Sequence, residues 1–411
     1  MNTADSLSTR GRALLSQPPL PAYISAHFER VTDPWTSENP GGYIPLCIAE
    51  NGLMWDTLLP RLSQVDVPAH ALGYDLMIGS ARFRQQLASF LGDRLLGRPV
   101  SAEHLAVLAG AGTVLEMLFH GIADAGDGVL VPTPSYAGFW ADLETRDGLH
   151  IIPVPTSAET DFALTIDALD AALSGSPHPV RALLFTSPDN PLGRVYTREE
   201  LEAVRDWATA RRLHVVFDEI YGLSVYGDVP FTSVAALGAL GEFTHIVWAF
   251  SKDFGASGLR CGVLISENNS ILASVEALAY WGTVSGDTQA RLGDMVADRP
   301  WAADFLAENK RRLRHAYAEV AAALREEGIP HLTPGAGFFA LCDLRDFLSE
   351  PTFGAEEALW NELLNEKRVN LTPGSACRIE EPGFFRLCFA SQPTQAVVTG
   401  IRRIGALLRE R

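Results

Sequence analysis

Residues 198–221 read REELEAVRDWATARRLHVVFDEIY, and this stretch carries the pattern that decides the fold. Its first part, 198–211, places apolar residues at helical spacing, whereas 214–217 is a short apolar run typical of a buried strand. The same alternation recurs from about residue 80 to residue 266. It predicts an α/β fold with a mostly parallel central sheet that helices cover on both faces.

Six apolar runs are the predicted strands, at 129–131, 151–154, 182–186, 214–217, 245–250 and 262–265. Further helical patterns cover 81–96 and 113–123. Ligands of such sheets bind beyond the carboxyl ends of the strands. We therefore expect the functional residues directly after these apolar runs.

Beyond about residue 300 the pattern changes to a charged helical stretch at 305–327, an apolar run at 338–343, a Pro/Gly-rich turn at 373–375 and an amphipathic helix from Thr394. This change predicts a second, smaller α+β unit. We predict an N-terminal arm at 1–45 that contributes to the small domain, a large domain at 46–295 that holds the binding site, and a small C-terminal domain at 296–411.

Composition excludes several classes of protein. The chain has 411 residues and a net charge of −17, which argues against nucleic acid as the main partner. Its five cysteines show no paired metal-ligand spacing, and we expect reduced thiols and no metal site. Residues 1–17 lack the apolar core of a secretory signal, and no run reaches the roughly 18 apolar residues of a membrane span. We therefore expect a soluble, cytoplasmic protein.

Lysine is scarce, since only Lys252, Lys310 and Lys367 occur. The last two stand in charged helical sequence, where a solvated surface lysine is the simpler interpretation. Lys252 follows the apolar run 245–250, and burial there would depress its pKa and favour Schiff-base chemistry. Arg260 stands eight residues later among glycines and is placed to bind a phosphate.

Polar residues follow two further strands. Asp218 and Tyr221 come after 214–217, where the acid can keep a pyridine nitrogen protonated and the phenol can bond a ring oxygen. For Asp218 alone, a buried acid that caps the next helix is an alternative. Asn190 lies in the turn after 182–186, and its amide can donate to the same ring oxygen.

Two other segments fit a flat, phosphorylated cofactor. Gly112 and Thr113 open a helix after the apolar run 105–108, so their backbone N–H groups form a phosphate cradle at the positive helix end. Tyr136 follows 129–131 and offers an aromatic face, although a surface aromatic explains it almost equally well. Each signal is weak by itself, and the combination carries the interpretation.

The combination resembles the fold-type I pyridoxal-phosphate (PLP) enzymes of the class I/II aminotransferase family over nearly the whole chain. Within that family, several phrases resemble 1-aminocyclopropane-1-carboxylate (ACC) synthases, which act on S-adenosylmethionine. They are SENPGG at 37–42 with IAENGL at 48–53, SKDFG at 251–255, VSGDTQ at 284–289 and EPGFFRLCFA at 381–390.

The resemblance implies a PLP-dependent transferase fold of type I, with PLP bound to Lys252 as a Schiff base in the large domain. Lys252, Asp218 and Tyr221 are then the catalytic residues, and Ser251 is a further cofactor contact. The resemblance also implies a homodimer whose sites are completed by the neighbouring subunit around Tyr74 and Thr288.

For the substrate, the resemblance implies that Arg386 clamps the α-carboxylate of an amino acid as a bidentate fork. Glu50 would lie near the substrate side chain, where a carboxylate favours a sulfonium cation, and Tyr74 would contact the substrate of the neighbouring subunit. In the simpler interpretations Arg386 is an ordinary strand arginine and Glu50 an acid at a helix N-terminus.

Two positions depart from the family pattern. Met77 stands where ACC synthases carry the second tyrosine of a Tyr-Gln-Asp-Tyr-His-Gly phrase, and that tyrosine reaches into the neighbouring subunit's site. Ala249, three residues before Lys252, stands where the family usually has a phosphate-binding Ser or Thr. The first departure puts cyclopropane formation in question and leaves the PLP core intact.

Several functions follow from the same residues. The expected reaction removes the Cα proton of S-adenosylmethionine and releases methylthioadenosine from Cγ, with cyclisation or γ-substitution and annulation in a biosynthetic pathway. Transamination, or oxidation, of an amino acid to a 2-oxo acid uses the same core. A non-catalytic PLP-domain regulator would need a DNA-binding module, and no basic helix-turn-helix segment precedes residue 45 or follows residue 400.

Overall fold

The computed structural model describes residues 6–411, so the first five residues of the predicted arm lie outside the described part. The strands are β1 (Ile44–Pro45), β2 (Leu105–Leu108), β3 (Gly128–Thr133), β4 (His150–Pro155), β5 (Val180–Thr186), β6 (His214–Asp218), β7 (Thr244–Ala249), β8 (Gly262–Ser266), β9 (Phe339–Asp343), β10 (Val369–Asn370), β11 (Thr372–Pro373) and β12 (Phe384–Cys388).

The helices of the described residues alternate with these strands through the first two thirds of the chain. They are α1 (Thr9–Ser16), α2 (Ala22–Arg30), α3 (Trp55–Ser63), α4 (Ala81–Arg94), α5 (Ala111–Ile122), α6 (Phe139–Glu144), α7 (Ile166–Gly175), α8 (Arg198–Ala210), α9 (Phe250–Asp253), α10 (Asn269–Leu278), α11 (Gly286–Ala297), α12 (Arg299–Glu326), α13 (Phe353–Asn365) and α14 (Thr394–Leu408).

A seven-stranded sheet with the order β2-β8-β7-β6-β5-β3-β4 forms the centre of the fold. Strands β3 to β7 are parallel, whereas β8 runs antiparallel to both of its neighbours, β2 and β7. Strands β7 and β8 are buried along their whole length, as continuous apolar runs require in a sheet covered on both faces. The predicted α/β fold with a mostly parallel sheet is confirmed.

The six predicted runs agree with β3 to β8 to within two residues at each end. Strand β7 ends at Ala249, one residue before the end of the run predicted at 245–250, because Phe250 already belongs to α9. The larger difference lies in the predicted arm at 1–45, for which no helix was predicted. The molecule has α1 there and also α2, in which Tyr23 and Ala26 are buried. The short apolar face of α2, two residues in nine, was too weak a periodic signal.

Two small sheets lie outside the central one. Strands β11, β12 and β9 form an antiparallel sheet in that order, and β1 pairs in parallel with β10. The pairing of Ile44 with Val369 joins the N-terminal segment to the C-terminal part of the chain. This agrees with an arm that contributes to the small domain, although the three domain boundaries stay a prediction.

Six strands, β2 to β7, point their carboxyl ends toward one edge of the central sheet. Strand β8 begins at this edge, since its antiparallel pairing sets Gly262 opposite Ala249. The loop before β8 therefore reaches the same place as the loops that follow the parallel strands. Across residues 6–411, no helix is both long and apolar enough to cross a membrane.

Candidate active site

A cavity of about 210 Å³ lies at this edge, and eight of the predicted residues line it. They are Gly112, Tyr136, Asn190, Asp218, Tyr221, Ser251, Lys252 and Arg260. The strand ends thus bring a lysine, an acid, a phenol, an amide and an arginine to one site, as expected of the carboxyl edge of a parallel sheet.

Lys252 lies in the short helix α9 directly after β7, and its Nζ donates a hydrogen bond of 2.6 Å to the carbonyl oxygen of Ala49. The pKa of the Lys252 ammonium is lowered to about 8, chiefly by burial and to a smaller extent by the nearby Arg386. Since a neutral amine is the nucleophilic and basic form, this environment suits covalent and proton-transfer chemistry.

The next residue, Asp253, anchors the helix that carries Lys252. Its buried carboxyl group accepts hydrogen bonds from Ser224 Oγ at 2.6 Å, Trp248 Nε1 at 2.8 Å and the Leu223 backbone N–H at 3.1 Å. These three contacts fix α9 against the end of β6 and the loop after it. Because Asp253 holds α9 in place from outside the cavity, it also fixes the direction in which the Lys252 side chain leaves the helix.

Asp218 ends β6 and is buried, with 6% of its surface exposed. Its recorded hydrogen bond is a long one of 3.3 Å from the Ile220 N–H. Burial raises the pKa of this carboxyl to about 7, while the Ile220 N–H and Lys252 act in the opposite direction. A buried carboxylate whose negative charge is stabilised by so few contacts needs a cationic partner from the cavity.

Asn190, Tyr221 and Arg386 form a buried chain of hydrogen bonds. Asn190 Nδ2 donates to Tyr221 Oη at 3.3 Å, and Arg386 Nη1 donates to Asn190 Oδ1 at 3.0 Å. Arg386 Nη2 donates to the Cys47 carbonyl at 2.9 Å and to Thr372 Oγ1 at 3.0 Å. This chain connects the predicted ring-binding residues to the predicted carboxylate clamp.

Arg386 belongs to β12 and is 1% exposed, yet no side-chain carboxylate lies within ion-pair distance of it in the described residues. Its Nε atom has no hydrogen-bond partner among residues 6–411. An arginine buried without an anion leaves a charge uncompensated. A carboxylate from a bound substrate would supply the missing anion.

The loop between β2 and α5 comes close to Arg260 because two glycines allow it. Gly110 has a φ of 95°, and a Cβ there would lie 2.4 Å from Arg260 Nη2. A Cβ on Gly262 would lie 2.6 Å from the carbonyl carbon of Gly110. Arg260 Nη1 donates to the Ser257 carbonyl at 3.1 Å. The guanidinium therefore lies beside the free N–H groups of the first turn of α5, an arrangement that binds phosphate.

Two predicted residues lie elsewhere. The Thr113 side chain does not line the cavity, and its hydroxyl donates to the Ala109 carbonyl at 3.2 Å. Its expected contact, through the backbone N–H, stays a prediction. Tyr74 is 98% exposed and does not reach the site of its own chain. Its expected contact, with the neighbouring subunit, stays a prediction.

Glu50 is half-buried and lies one side chain away from the cavity. Its Oε1 accepts a hydrogen bond of 2.6 Å from Ser257 Oγ, and Ser257 lines the cavity beside Lys252. Tyr136 presents its ring to the cavity and makes an edge contact with Phe139, with centroids 5.3 Å apart and an interplanar angle of 89°. Both side chains thus have fixed orientations before any ligand binds.

Seven residues of the cavity lining were not identified from the sequence, and the ones with charged, hydroxyl or aromatic side chains besides Thr186 are Phe139, Asp142 and Ser257. Phe139 and Asp142 follow Tyr136 at intervals of three, which places all three on one side of the turn that leads into α6. This spacing is a signal in the sequence, but it becomes useful only once a helix is known to begin at 139.

The model of the family "Aminotransferase class I and II" matches residues 69–404. The chain belongs to this family. Among curated relatives, 1-aminocyclopropane-1-carboxylate synthase CMA101 of Cucurbita maxima is 33% identical over 91% of this chain and 84% of its own length. The similarly named synthase 3 of Oryza sativa subsp. japonica is 34% identical over 94% and 91%.

Among solved structures, the aspartate aminotransferase of Thermus thermophilus with maleate superposes on this chain with a TM-score of 0.80. The two share 21% sequence identity over 98% of this chain and 99% of the other. At this identity the likeness shows the fold, which is fold type I of the PLP-dependent transferases.

Enzymes of this aminotransferase family use pyridoxal phosphate, and the residues of the cavity fit it. Within residues 6–411 Asp218 has no ion pair shorter than 4.0 Å, and a protonated ring nitrogen would supply one. Lys252 is the amine that would bond to the aldehyde. The start of α5 and Arg260 would hold the phosphate. Among residues 6–411, no group of three or more His, Cys, Asp or Glu side chains is placed to hold a metal ion.

Proposed function

We propose that this enzyme acts on S-adenosylmethionine, removes the Cα proton and releases methylthioadenosine from Cγ. The observation that carries the proposal is the carboxylate of Glu50, fixed beside the cavity by Ser257 at 2.6 Å. A fixed carboxylate close to the substrate side chain favours a sulfonium cation over a neutral thioether. The curated relatives named ACC synthases support the same substrate.

The buried Arg386 would hold the α-carboxylate of the substrate. Its Nη2 is already engaged by Cys47 and Thr372, which fixes the guanidinium plane, whereas its Nε is free for a ligand. The carboxylate would therefore meet a rigid fork. With this end fixed, the amino group faces Lys252 and the side chain extends toward Glu50.

Lys252 would move the proton. When bound, the cofactor supplies an electron sink for the charge that develops at Cα. Because burial lowers the pKa of Lys252 to about 8, about a tenth of the released amine is neutral at pH 7, and this neutral form takes the Cα proton onto Nζ. The bonding pair of the Cγ–S bond leaves with sulfur, so the sulfonium becomes the neutral thioether of methylthioadenosine.

The four-carbon fragment has two fates. In closure, the electron pair left at Cα by the removed proton forms the Cα–Cγ bond as the Cγ–S bond breaks. In substitution, a Cβ proton is removed as the Cγ–S bond breaks, which leaves a β,γ double bond; a second nucleophile then adds at Cγ and a proton returns to Cβ. Met77 bears on this choice, since it stands where ACC synthases carry a tyrosine. In this chain Met77 is half-buried and packs against the apolar cluster of Ile78 and Met117. It offers no hydroxyl to any site, so we propose γ-substitution or annulation as the outcome.

The test is to mix the PLP-loaded enzyme with S-adenosylmethionine and measure methylthioadenosine by mass spectrometry. We expect release by the wild type, and a KM for S-adenosylmethionine about tenfold higher in Glu50→Gln because one charge–charge attraction is lost. The Ki of methionine, which is neutral at sulfur and would bind as a competitive inhibitor, should change little. Glu103→Gln is the matched control, since Glu103 is exposed and precedes β2 at the opposite edge of the sheet.

Two results would contradict the proposal. One is formation of a 2-oxo acid with no methylthioadenosine, which would indicate transamination, or oxidation if hydrogen peroxide also appears. The other is an equal change in the KM for S-adenosylmethionine and in the Ki of methionine in Glu50→Gln, which would show that the carboxylate does not recognise the sulfonium charge.

We also propose that the enzyme works as a homodimer. Tyr74 is 98% exposed, and Leu72, Tyr280 and Trp281 are 84%, 67% and 74% exposed. The backbone carbonyl of Gly282 accepts a hydrogen bond of 2.7 Å from the Ala109 N–H, so this apolar surface borders the phosphate cradle. Exposed apolar surface beside a site is typical of a subunit interface.

The dimer proposal predicts that Lys252→Ala and Tyr74→Ala, each impaired alone, regain activity when the two proteins are unfolded and refolded together. Mixed dimers would then contain one site free of both substitutions. Sedimentation should give twice the chain mass of 44.6 kDa. Full activity in a species of single-chain mass would contradict the proposal.

A cytoplasmic location is proposed as well. All five cysteines, Cys47, Cys261, Cys342, Cys377 and Cys388, are buried free thiols, as is usual in a reducing compartment. Recovery of the protein from the medium or the periplasm in cell fractionation would overturn this proposal.

A further inference from the structure

Asp142 is a carboxylate on the wall of the phosphate cradle that the proposed reaction does not use. It lies in α6 and lines the same cavity as Gly112 and Arg260. A Cβ on Gly112 would lie 3.5 Å from Asp142 Oδ1, so the carboxyl group lies alongside the first turn of α5. A negative group at a phosphate site is unexpected, since anions repel each other.

The carboxyl group of Asp142 has little to stabilise its charge. Within the described residues, no recorded hydrogen bond or ion pair within 4.0 Å involves it. The pKa of Asp142 is raised to about 6, chiefly by burial and to a smaller extent by the nearby Glu116, while Arg260 acts in the opposite direction.

The charged and titratable groups around Asp142 belong to several elements. Glu116 of α5 is paired with Arg146 at 2.6 Å, which compensates part of its charge. Arg260 faces Asp142 from the loop before β8, and the titratable groups that face it across the cavity are Tyr136, Asp218 and Lys252. Among residues 6–411, Arg260 is the one arginine that lines the cavity.

The charges of the cradle do not balance if Asp142 is ionised. A phosphate monoester carries a charge of about −1.5 to −2 near pH 7. Against it stand one arginine and one helix N-terminus, equivalent to about half a positive charge. Ala249 supplies no hydroxyl, whereas the family usually has one there. An ionised Asp142 would make the cradle repel the phosphate, whereas a protonated Asp142 would add a hydrogen-bond donor.

We propose that Asp142 is a proton-linked ligand of the cofactor phosphate: it is neutral and donates its O–H to a phosphate oxygen when the cofactor is bound, and it weakens cofactor binding when it ionises. The enzyme then retains its cofactor less well as pH rises. The proposal rests on the PLP site of the family and is independent of the substrate.

The direction of the effect follows from linkage. Asp142 in the free enzyme has a pKa of about 6, and the bound phosphate raises it further because it adds negative charge. Cofactor binding therefore takes up a proton at pH values between the two pKa values. In this window the Kd of the wild type rises by up to about tenfold per pH unit.

The experiment measures the Kd of PLP for wild-type enzyme, Asp142→Asn and Glu103→Gln from pH 6 to pH 9, by spectroscopic titration of the apoenzyme. Glu103 is an exposed acid at the opposite edge of the sheet, whereas Glu116 is unsuitable as a control because it raises the pKa of Asp142. Titration of Lys252, Asp218 and the phosphate itself is common to all three proteins, so the ratio of two Kd values isolates one carboxyl group. We expect the ratio of wild type to Asp142→Asn to increase with pH and the ratio of wild type to Glu103→Gln to stay nearly constant.

Pyridoxal, which lacks the phosphate, provides a second measurement. Its affinity should be the same for wild type and Asp142→Asn at every pH. If Asp142→Asn does not fold, the ³¹P resonance of PLP bound to the wild type still tests the proposal, because it should shift with pH as Asp142 titrates. A Kd ratio that does not vary with pH, an equal effect on pyridoxal, or a ³¹P shift that stays constant would overturn the proposal.

Discussion

Lys252→Ala should lower kcat by at least about 10⁴-fold, the upper range for removing a group that both bonds to a reactant and transfers a proton. Lys252 is the amine that lines the cavity, and its Nζ is held at 2.6 Å from the Ala49 carbonyl. The variant should fold, since the hydrogen bonds that anchor α9 belong to Asp253. Turnover and thermal unfolding measured together separate the two effects.

The composition of the chain makes this test unusually clean. Lys252, Lys310 and Lys367 are its three lysines. Reduction of the PLP-loaded enzyme with borohydride, followed by peptide mass spectrometry, should therefore place the cofactor on Lys252. Lys310→Ala and Lys367→Ala are the matched controls, and Lys367 pairs with Glu410 at 3.3 Å, away from the cavity. Cofactor on either of these lysines, or full turnover by Lys252→Ala, would refute the assignment.

Sequence was sufficient for the central sheet and for most of the cavity wall. Each apolar run is bounded by residues that end a strand, and parallel strands present their carboxyl ends at one edge. Asn190, Asp218 and Lys252 therefore had to lie close together once the order of helices and strands was known. The position of Arg260 followed less directly, because β8 runs opposite to its neighbours and brings the residues before it to that edge.

The contacts that orient the side chains were beyond sequence reasoning. Arg386 donates to the carbonyl of Cys47, which is 339 positions away, and no local pattern encodes such a pair. The Thr113 hydroxyl donates to the Ala109 carbonyl, because a hydroxyl in the first turn of a helix lies close to a preceding carbonyl, and the sequence alone does not show which partner the hydroxyl takes. Asp142 was missed since α6 has only six residues, too few for a periodic signal.

Asp218→Asn is the second substitution with a large expected effect, a loss in kcat of about 10³-fold, comparable to the loss of one preorganised electrostatic contact in an active site. Burial raises the pKa of this carboxyl to about 7, so it binds a proton strongly and would share it with a ring nitrogen across the cavity. The amide keeps the shape of the side chain and cannot stabilise a cation. The charge at Cα would then lose its electron sink.

A chemical rescue distinguishes this role from a structural one. A PLP analogue with a methyl group on the ring nitrogen carries a permanent positive charge there, and it should restore turnover to Asp218→Asn by at least about tenfold if the carboxylate acts by keeping that nitrogen cationic. Glu219→Gln is the matched control, because Glu219 is the next buried acid and accepts the Val234 N–H at 2.8 Å, outside the cavity lining. If the analogue fails to rescue while Asp218→Asn retains its fold and binds it, the carboxylate must serve another purpose, such as holding the strand end at Ile220.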